Sequence, residues 1–313
     1  MPFRCRPDGD YVRNLPRQRR IMPFIMRRRN ESTVFFEQKV DTSKTLRFIQ
    51  EFRERTGLRA GLLHLLIYAV GQMLKDRPRL NRFVAGGRIF QRRGIWISFS
   101  AKKQKTEDAP IVLVKQEINP YWSFEELVQK IEEGISEGRS DKCSTTDTEL
   151  SLLFKLPAFL VGWLIWLLIK LDHFGWLPGA FIRKDPLFAS LFIANLGSID
   201  MDAGYHHLYE YGNIPMFMMV GRTRDEVVVG PDGKPVVRPM TALRYSFDER
   251  IEDGLYGGRA LEILKKFIED PAAAMGIEER IGRNVQSDSH SIFNLQNYLS
   301  IGGSERESVR SKP

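Results

Sequence analysis

Ser246-Phe247-Asp248-Glu249-Arg250-Ile251-Glu252-Asp253-Gly254 is the stretch on which the reading of this chain turns. It joins a strand-like run, Thr241 to Tyr245, to a helix-like run, Tyr256 to Ile268. Three acids, an arginine and an Asp-Gly turn meet at this junction, and loops held between rigid elements are where sites tend to be built. Upstream of it, Glu226 to Arg238 reads as a hairpin turning at Pro231-Asp232-Gly233, and Met216 to Gly221 as a strand. Phe188 to Ala194 reads as a buried strand that runs into Asn195-Leu196-Gly197-Ser198. Downstream, Pro271 ends the helix, and residues 273–313 read as a polar, Ser-rich, disordered tail.

The first half alternates strands and helices. Ser32 to Val40 is strand-like, and Asp41-Thr42-Ser43 supplies good capping residues for a helix carrying Leu46, Ile49 and Phe52 on one face, with Gly57 as its stop. Leu62 to Leu74 is apolar on nearly every side, which predicts a buried helix with His64 as a satisfied core residue. Pro78, Asn81 and Gly86-Gly87 mark turns, Arg88 to Phe99 reads as a hairpin, and Ile111 to Lys115 as a short strand. Ser123 with Glu125 and Glu126 behind it opens a helix that runs to about Gly138.

Length, 313 residues with 42% hydrophobic side chains, is enough for a sizeable core and excludes global disorder. The formal net charge of +8 favours an anionic partner such as a bilayer surface or a CoA-like phosphate. Nine arginines between Arg4 and Arg29 concentrate that charge in residues 1–30, read as a basic arm whose bland form is a solvated tail, with Arg17 to Met26 as a short helix broken at Pro23. Zinc-finger spacing, ribonucleoprotein motifs and a helix-turn-helix are missing, which argues against a nucleic-acid partner. Cys5 and Cys143 lie far apart without ligand spacing, so neither a disulfide framework nor a metal site is expected, and a reducing, cytoplasmic setting fits. The N-terminus has no apolar core of a secretory signal.

One segment differs from the rest. Leu156 to Ile169 is fourteen residues without a charge, includes Trp163 and Trp166, and is bracketed by Lys155 and Lys170. Leu171 to Ile182 adds a second apolar piece, interrupted by Asp172, Gly175 and Pro178. As a helix, fourteen residues reach about 21 Å, short of the roughly 30 Å hydrocarbon core. Lysines that snorkel and tryptophans that favour the interface suit a hairpin lying in the inner face of the cell membrane. A buried or oligomer-contact helix and a true span are the alternatives.

The order of these elements, with three motifs and one turn, resembles the catalytic domain of the dihydrolipoyl acyltransferases of 2-oxo acid dehydrogenase complexes. Arg19-Arg20-Ile21 through Met26 is similar to that family's opening helix. Ala194-Asn195-Leu196-Gly197 stands where the family has Ser-Asn-Leu-Gly, and Ser246 to Gly254 where it has Ser-Phe-Asp-His-Arg-x-x-Asp-Gly; Pro78 to Asn81 resembles its Pro-x-x-Asn turn. The resemblance implies an α/β (α+β) fold, a chloramphenicol acetyltransferase-like mixed-sheet sandwich with flanking helices over residues 31–272. An apolar helical insertion, 143–187, interrupts it.

The departures fall at the chemistry. Glu249 occupies the position of the family's histidine base, and an ordinary carboxylate is a weaker base than a neutral imidazole. Ala194, beside Asn195, replaces the oxyanion donor, a loss that typically costs about a hundredfold in rate. His206 and His207 are substitute candidates for the base. Asp253 is expected to close the turn and pair with an arginine such as Arg19, while Arg250 and Gly254 hold the frame. The resemblance further implies a coenzyme A thioester as substrate, no covalently bound cofactor and a homotrimer; no lipoyl domain precedes the catalytic region. Two readings remain: an acyltransferase with altered chemistry, or a catalytically inactive trimeric scaffold or acyl-ligand binder.

Overall fold

A computed structural model describes residues 5–102, 111–139 and 155–277. Cys143, residues 143–154 and the tail from 278 onward lie outside the described residues. The chain divides into residues 1–269 and a unit beginning at Asp270. In the latter, the Asp270 carboxylate accepts from Ala273 N at 3.3 Å and caps a single turn, Pro271–Ala274.

The strands are β1 (Cys5–Arg6), β2 (Gly9–Tyr11), β3 (Thr33–Asp41), β4 (Arg82–Ala85), β5 (Arg88–Arg92), β6 (Ile95–Lys102), β7 (Ile111–Ile118), β8 (Leu191–Asn195), β9 (Met216–Val229) and β10 (Pro235–Asp248). The helices are α1 (Arg17–Ile25), α2 (Ser43–Thr56), α3 (Leu62–Asp76), α4 (Phe124–Arg139), α5 (Ala158–Phe174), α6 (Gly179–Lys184) and α7 (Gly254–Glu269). Six strands form one sheet in the order β3-β10-β9-β8-β6-β7; β8 runs parallel to both neighbours and every other pair is antiparallel. A smaller antiparallel sheet, β1-β2-β5-β4, stands beside it. The fold is therefore mixed α/β, as the sequence implies.

Alternation along β10 sorts side chains between the two faces of the large sheet. Leu243, Tyr245 and Phe247 point to the buried face with Met216, Met218 and Ile193, where α3 and α7 pack. Arg244, Ser246 and Asp248 point to the other face. There Phe192, Phe217 and Met219 are covered by Ala203, Leu208 and Ile214 of the segment between β8 and β9.

Local signals explain most boundaries. Gly57 ends α2 at φ 72°, the left-handed stop that a glycine tolerates. Ser123 and Glu126 form a reciprocal capping box, Ser123 N to Glu126 Oε2 at 2.7 Å and Glu126 N to Ser123 Oγ at 3.2 Å. His64 is buried in α3 as read; its Nδ1 accepts from Gly61 N at 3.1 Å, and burial holds its imidazole below the usual value.

Four expectations need correction. The buried face of α2 is Thr45, Phe48, Ile49 and Phe52, and Leu46 is 43% exposed, because the i, i+3, i+4, i+7 stripe starts one residue earlier. Arg88 to Phe99 is not a hairpin. Gly94, at φ 71°, turns the chain out of the small sheet, so β5 pairs with β4 and β2 while β6 pairs with β7 and β8. Helix α1 runs through Pro23 to Ile25, since losing one backbone donor does not end so short a helix. Finally, residues 5–30 of the basic arm are no solvated tail. β1 and β2 extend the small sheet, and Arg6 is buried with carboxylates on either side of it.

Helix α5 settles part of the apolar segment. It has no buried residue, with Phe159, Trp163 and Trp166 exposed by 74%, 57% and 54%, so it is not a core helix. Among the described residues no helix is long and apolar enough to cross a membrane. The second piece, 171–182, packs onto the protein instead of following α5 outward: Leu177 and Ile182 are buried with Phe188, and Leu168, Leu171 and Tyr211 pack around them.

Candidate active site

The turn after β10 is built around one buried ion pair. Asp248 and Arg250, each almost wholly buried, meet through two parallel contacts, Nε to Oδ1 at 2.8 Å and Nη2 to Oδ2 at 2.7 Å. The remaining guanidinium nitrogen donates to the carbonyls of Met26 and Arg27 at 3.1 and 3.3 Å, which ties the end of α1 to the turn. Asp248 also accepts from Ser32 Oγ at 3.0 Å, and Glu249 N donates to the Ser32 carbonyl at 3.0 Å. A planar fork against a carboxylate is geometry that lysine cannot reproduce.

Glu249 is fixed through its backbone alone. Arg19 Nη1 donates to the Glu249 carbonyl at 2.5 Å. The Glu249 carboxylate is half-buried and has no hydrogen-bond partner among the described residues. Asp253 is not paired with Arg19. Its Oδ1 accepts from Tyr256 N at 2.9 Å and its carbonyl from Gly257 N at 3.0 Å, so it caps α7, whose free amides need acceptors. Gly254 opens that helix with free space where a Cβ would stand. The second buried acid of the motif, after Asp248, is Glu252, 3.3 Å from both Arg79 and Arg82.

The second group of candidates lies elsewhere on the sheet. Ala194 pairs with Met219, and Met219 with Arg244, five residues before Glu249. At about 3.4 Å per residue and 4.8 Å per strand, Glu249 lies roughly 17 Å along and 10 Å across from Ala194. Within one chain a base at Glu249 and an oxyanion donor at 194 cannot serve the same thioester. Ala194 packs against the Phe192–Phe217 cluster, and Asn195, half-buried, offers its carbonyl to Ser198 Oγ at 2.8 Å.

His206 and His207 belong to Ala194's face of the sheet. The His206 ring stacks on Phe217 at 4.1 Å and on His207 at 4.9 Å. His206 Nδ1 lies 2.6 Å from the His207 carbonyl and His207 Nδ1 3.0 Å from that of Leu208. A ring nitrogen that bonds a carbonyl must carry the proton, which leaves each Nε2 as the lone-pair nitrogen. No described hydrogen bond links either imidazole to Glu249. Among the described residues no group of three acids, histidines or cysteines could hold a metal ion.

Sequence reasoning missed a buried charge network behind this turn. Arg6 joins Asp8 at 2.9 Å and Asp172 at 2.6 Å, and Asn213 Nδ2 donates to Asp8 at 2.7 Å. Burial raises the Asp172 carboxyl above its usual range despite Arg6, and lowers Arg92 beside it to about 10. The available signal was Asp172 itself, a lone acid breaking an apolar run. The tryptophans of α5 and the two lysines are surface residues: Lys155, ahead of the helix, and Lys170 are exposed, and Lys170 lies 5.7 Å over the Trp166 ring.

Residues 188–276, which carry β8 through the turn to α7, match the family described as 2-oxoacid dehydrogenases acyltransferase (catalytic domain). The chain resembles the catalytic domain of 2-oxo acid dehydrogenase dihydrolipoyl acyltransferases. The acyltransferase-like fold recurs in a probable dihydrolipoamide acetyltransferase from Listeria monocytogenes 4b F2365, with 19% identity, a TM-score of 0.53, and coverage of 83% of this chain and 95% of that one. The cubic core of a pyruvate dehydrogenase multienzyme complex is similar at 17% identity and a TM-score of 0.54, with 85% and 95% covered. A truncated catalytic core of the 2-oxoacid dehydrogenase multienzyme complex from Thermoplasma acidophilum is similar at 18% identity and 0.53, with 84% and 99% covered. No sequence match among curated proteins accompanies these structural ones. At such identities the likeness of the acyltransferase-like domain to these structures is one of fold.

Proposed function

We propose that this chain transfers an acyl group from a thioester such as an acyl-CoA, with Glu249 as the base, at a membrane surface. The observation that carries the reading is the Glu249 carboxylate, unpartnered among the described residues while its backbone is held by Arg19 and Ser32. In the step, Glu249 takes the proton of an acceptor hydroxyl or thiol as that oxygen or sulfur attacks the acyl carbon. Collapse of the tetrahedral intermediate breaks the carbon–sulfur bond, and the proton passes to the departing thiolate. Positioned general bases contribute about a hundredfold to ten-thousandfold. The separation of Glu249 from Ala194 within one chain supports self-association, with a second copy completing the site; two of the similar structures are cores of multienzyme complexes.

Release of free thiol from a panel of acyl-CoAs with amine, hydroxyl and lipid acceptors tests the reaction. Turnover that falls about a hundredfold or more in Glu249→Gln is the expected result. No thiol release, or an unchanged rate in that variant, removes Glu249 from the mechanism.

Ala194 favours a second reading, an inactive scaffold or acyl-ligand binder. Its methyl group has no proton to give an oxyanion and is packed into the Phe192–Phe217 cluster. Transfer that arises only in the double variant Glu249→His with Ala194→Ser supports this reading.

The membrane surface rests on α5 and its basic flanks. About 25 Å long at 1.5 Å per residue, α5 exposes Phe159, Trp163 and Trp166, with lysines at 155 and 170. Flotation with anionic vesicles is expected for the full chain and lost on Trp163→Glu with Trp166→Glu. Equal flotation of the two proteins refutes it.

A further inference from the structure

A cavity of about 510 Å³ opens between α1, the β4–β5 turn, α5 and the loop at Glu210 to Gly212. That volume falls within the roughly 300–1,000 Å³ of small-molecule sites. Its two halves differ in character. Phe24, Leu168, Ile169 and Phe188 form an apolar side, of which Phe24 and Ile169 are themselves exposed. Arg29, Asp172 and Arg250 make a charged floor, and the exposed Glu210 also lines the cavity.

Each of these four charged groups is already engaged. Arg250 is held by Asp248, and Asp172 by Arg6. Arg29 Nη1 donates to the carbonyls of Tyr209 and Glu210 at 3.0 and 2.8 Å, while the Glu210 carboxylate takes the amides of Arg29 and Asn30. Tyr211 donates to Asp185 at 2.6 Å. Two lining side chains have no hydrogen-bond partner among the described residues, Arg27 and His173, and both are exposed at the rim. Arg27 is thus the surplus cation of the site, and the His173 imidazole a further hydrogen-bonding group. Gly86, at φ 56°, lies so close to the His173 carbonyl that a Cβ there would collide with it, so the end of α5 packs directly on the β4–β5 turn.

We infer that this cavity binds a single-chain anionic amphiphile, its head on Arg27 and His173 and its acyl chain along Phe24, Leu168 and Ile169. A neutral oil would leave Arg27 unused, and a small anion would leave the apolar wall wet; one molecule with both parts satisfies both halves. Glu249 does not line the cavity, so the site stands or falls separately from acyl transfer at that residue.

Fluorescence titration of the full chain with cis-parinaric acid, a long-chain carboxylate, in vesicle-free buffer tests it. Saturable one-to-one enhancement is expected, displaced by dodecanoate, displaced by dodecanol only at about tenfold higher concentration, and untouched by inorganic phosphate. Arg27→Glu, at an exposed position, weakens binding about tenfold. Ile169→Trp, which fills the mouth, removes it, with a thermal melt to show that the variant folds; if it does not, Arg27→Glu carries the test alone. No saturable signal, equal displacement by the alcohol, or full affinity in Arg27→Glu overturns the inference. Adsorption to anionic vesicles without binding of the free carboxylate overturns it too, and leaves only a surface on α5. Loss of thiol release in Glu249→Gln with parinarate binding intact separates the two sites.

Discussion

Arg6 and Asp172, 166 residues apart, meet at 2.6 Å and fasten the apolar helix α5 to the first strand of the small sheet. The same guanidinium donates to the Asp172 carbonyl at 2.6 Å and to Asp8, so one side chain holds both the helix end and the turn after β1. Breaking a buried pair by removing one partner costs about 3–5 kcal/mol, because the other charge stays buried alone. Arg6→Ala is therefore expected to lose that much in urea unfolding and to open α5 to limited proteolysis. Arg6→Ala with Asp172→Ala should recover part of the loss; a single-variant cost under about 1 kcal/mol would show the contact to be incidental.

Asp8 gives the acid limb of the stability curve a defined sign. Burial pushes its carboxyl up, but Arg6 and Arg92 together with the Asn213 hydrogen bond outweigh this and leave it below 3.8. A depressed folded value stabilises the fold above the unfolded value and loses that contribution as pH falls through the folded one. Burial raises Asp172, so its protonation acts in the opposite direction. Urea midpoints measured down from pH 5 should fall less steeply in Asp8→Asn than in the parent chain. Parallel curves would contradict the assignment.

The clamp between Arg250 and Asp248 predicts that lysine is no substitute for arginine. Arg250→Lys keeps the charge but loses the fork and the carbonyls of Met26 and Arg27. Thermal unfolding should show a loss of about 2–4 kcal/mol, between a single charged hydrogen bond and a fully broken pair. A melt like the parent's would mean that the clamp is dispensable.

Gly258 lies inside α7, and a Cβ added there meets nothing within 4 Å. Gly258→Ala should stabilise the chain by about 0.5–1 kcal/mol through helix propensity and a less free unfolded chain. Destabilisation in denaturant unfolding would mean that this face of α7 meets something beyond the chain described.

Much of the architecture was legible because its causes are local. Gly57, the Ser123–Glu126 box and the Asp232-Gly233 turn act on their own neighbours in sequence, and the apolar runs Leu62 to Leu74 and Phe188 to Ala194 announce a buried helix and a buried strand. The misreadings have equally definite causes. Leu46 is apolar, yet the stripe that reaches the core passes through Thr45. The Arg88–Phe99 run has the composition of a hairpin, but Gly94 sends its second half to another sheet. Which strands pair is decided by long-range packing that composition does not encode.

The sequence by itself determined that Glu249 stands in the acidic junction Ser246 to Gly254, that Ala194 ends a buried apolar run, and that Leu156 to Ile169 carries no charge. Only the tertiary structure decided what those residues can reach. Sheet register places Glu249 roughly 17 Å along and 10 Å across from Ala194, and gives Asp253 to the end of α7 and Arg19 to the Glu249 carbonyl. It also splits the apolar segment, burying Leu177 and Ile182 while leaving Trp163 and Trp166 outside. Side-chain chemistry is written residue by residue, whereas the partner of a buried charge or an apolar face is fixed only when distant strands close on each other.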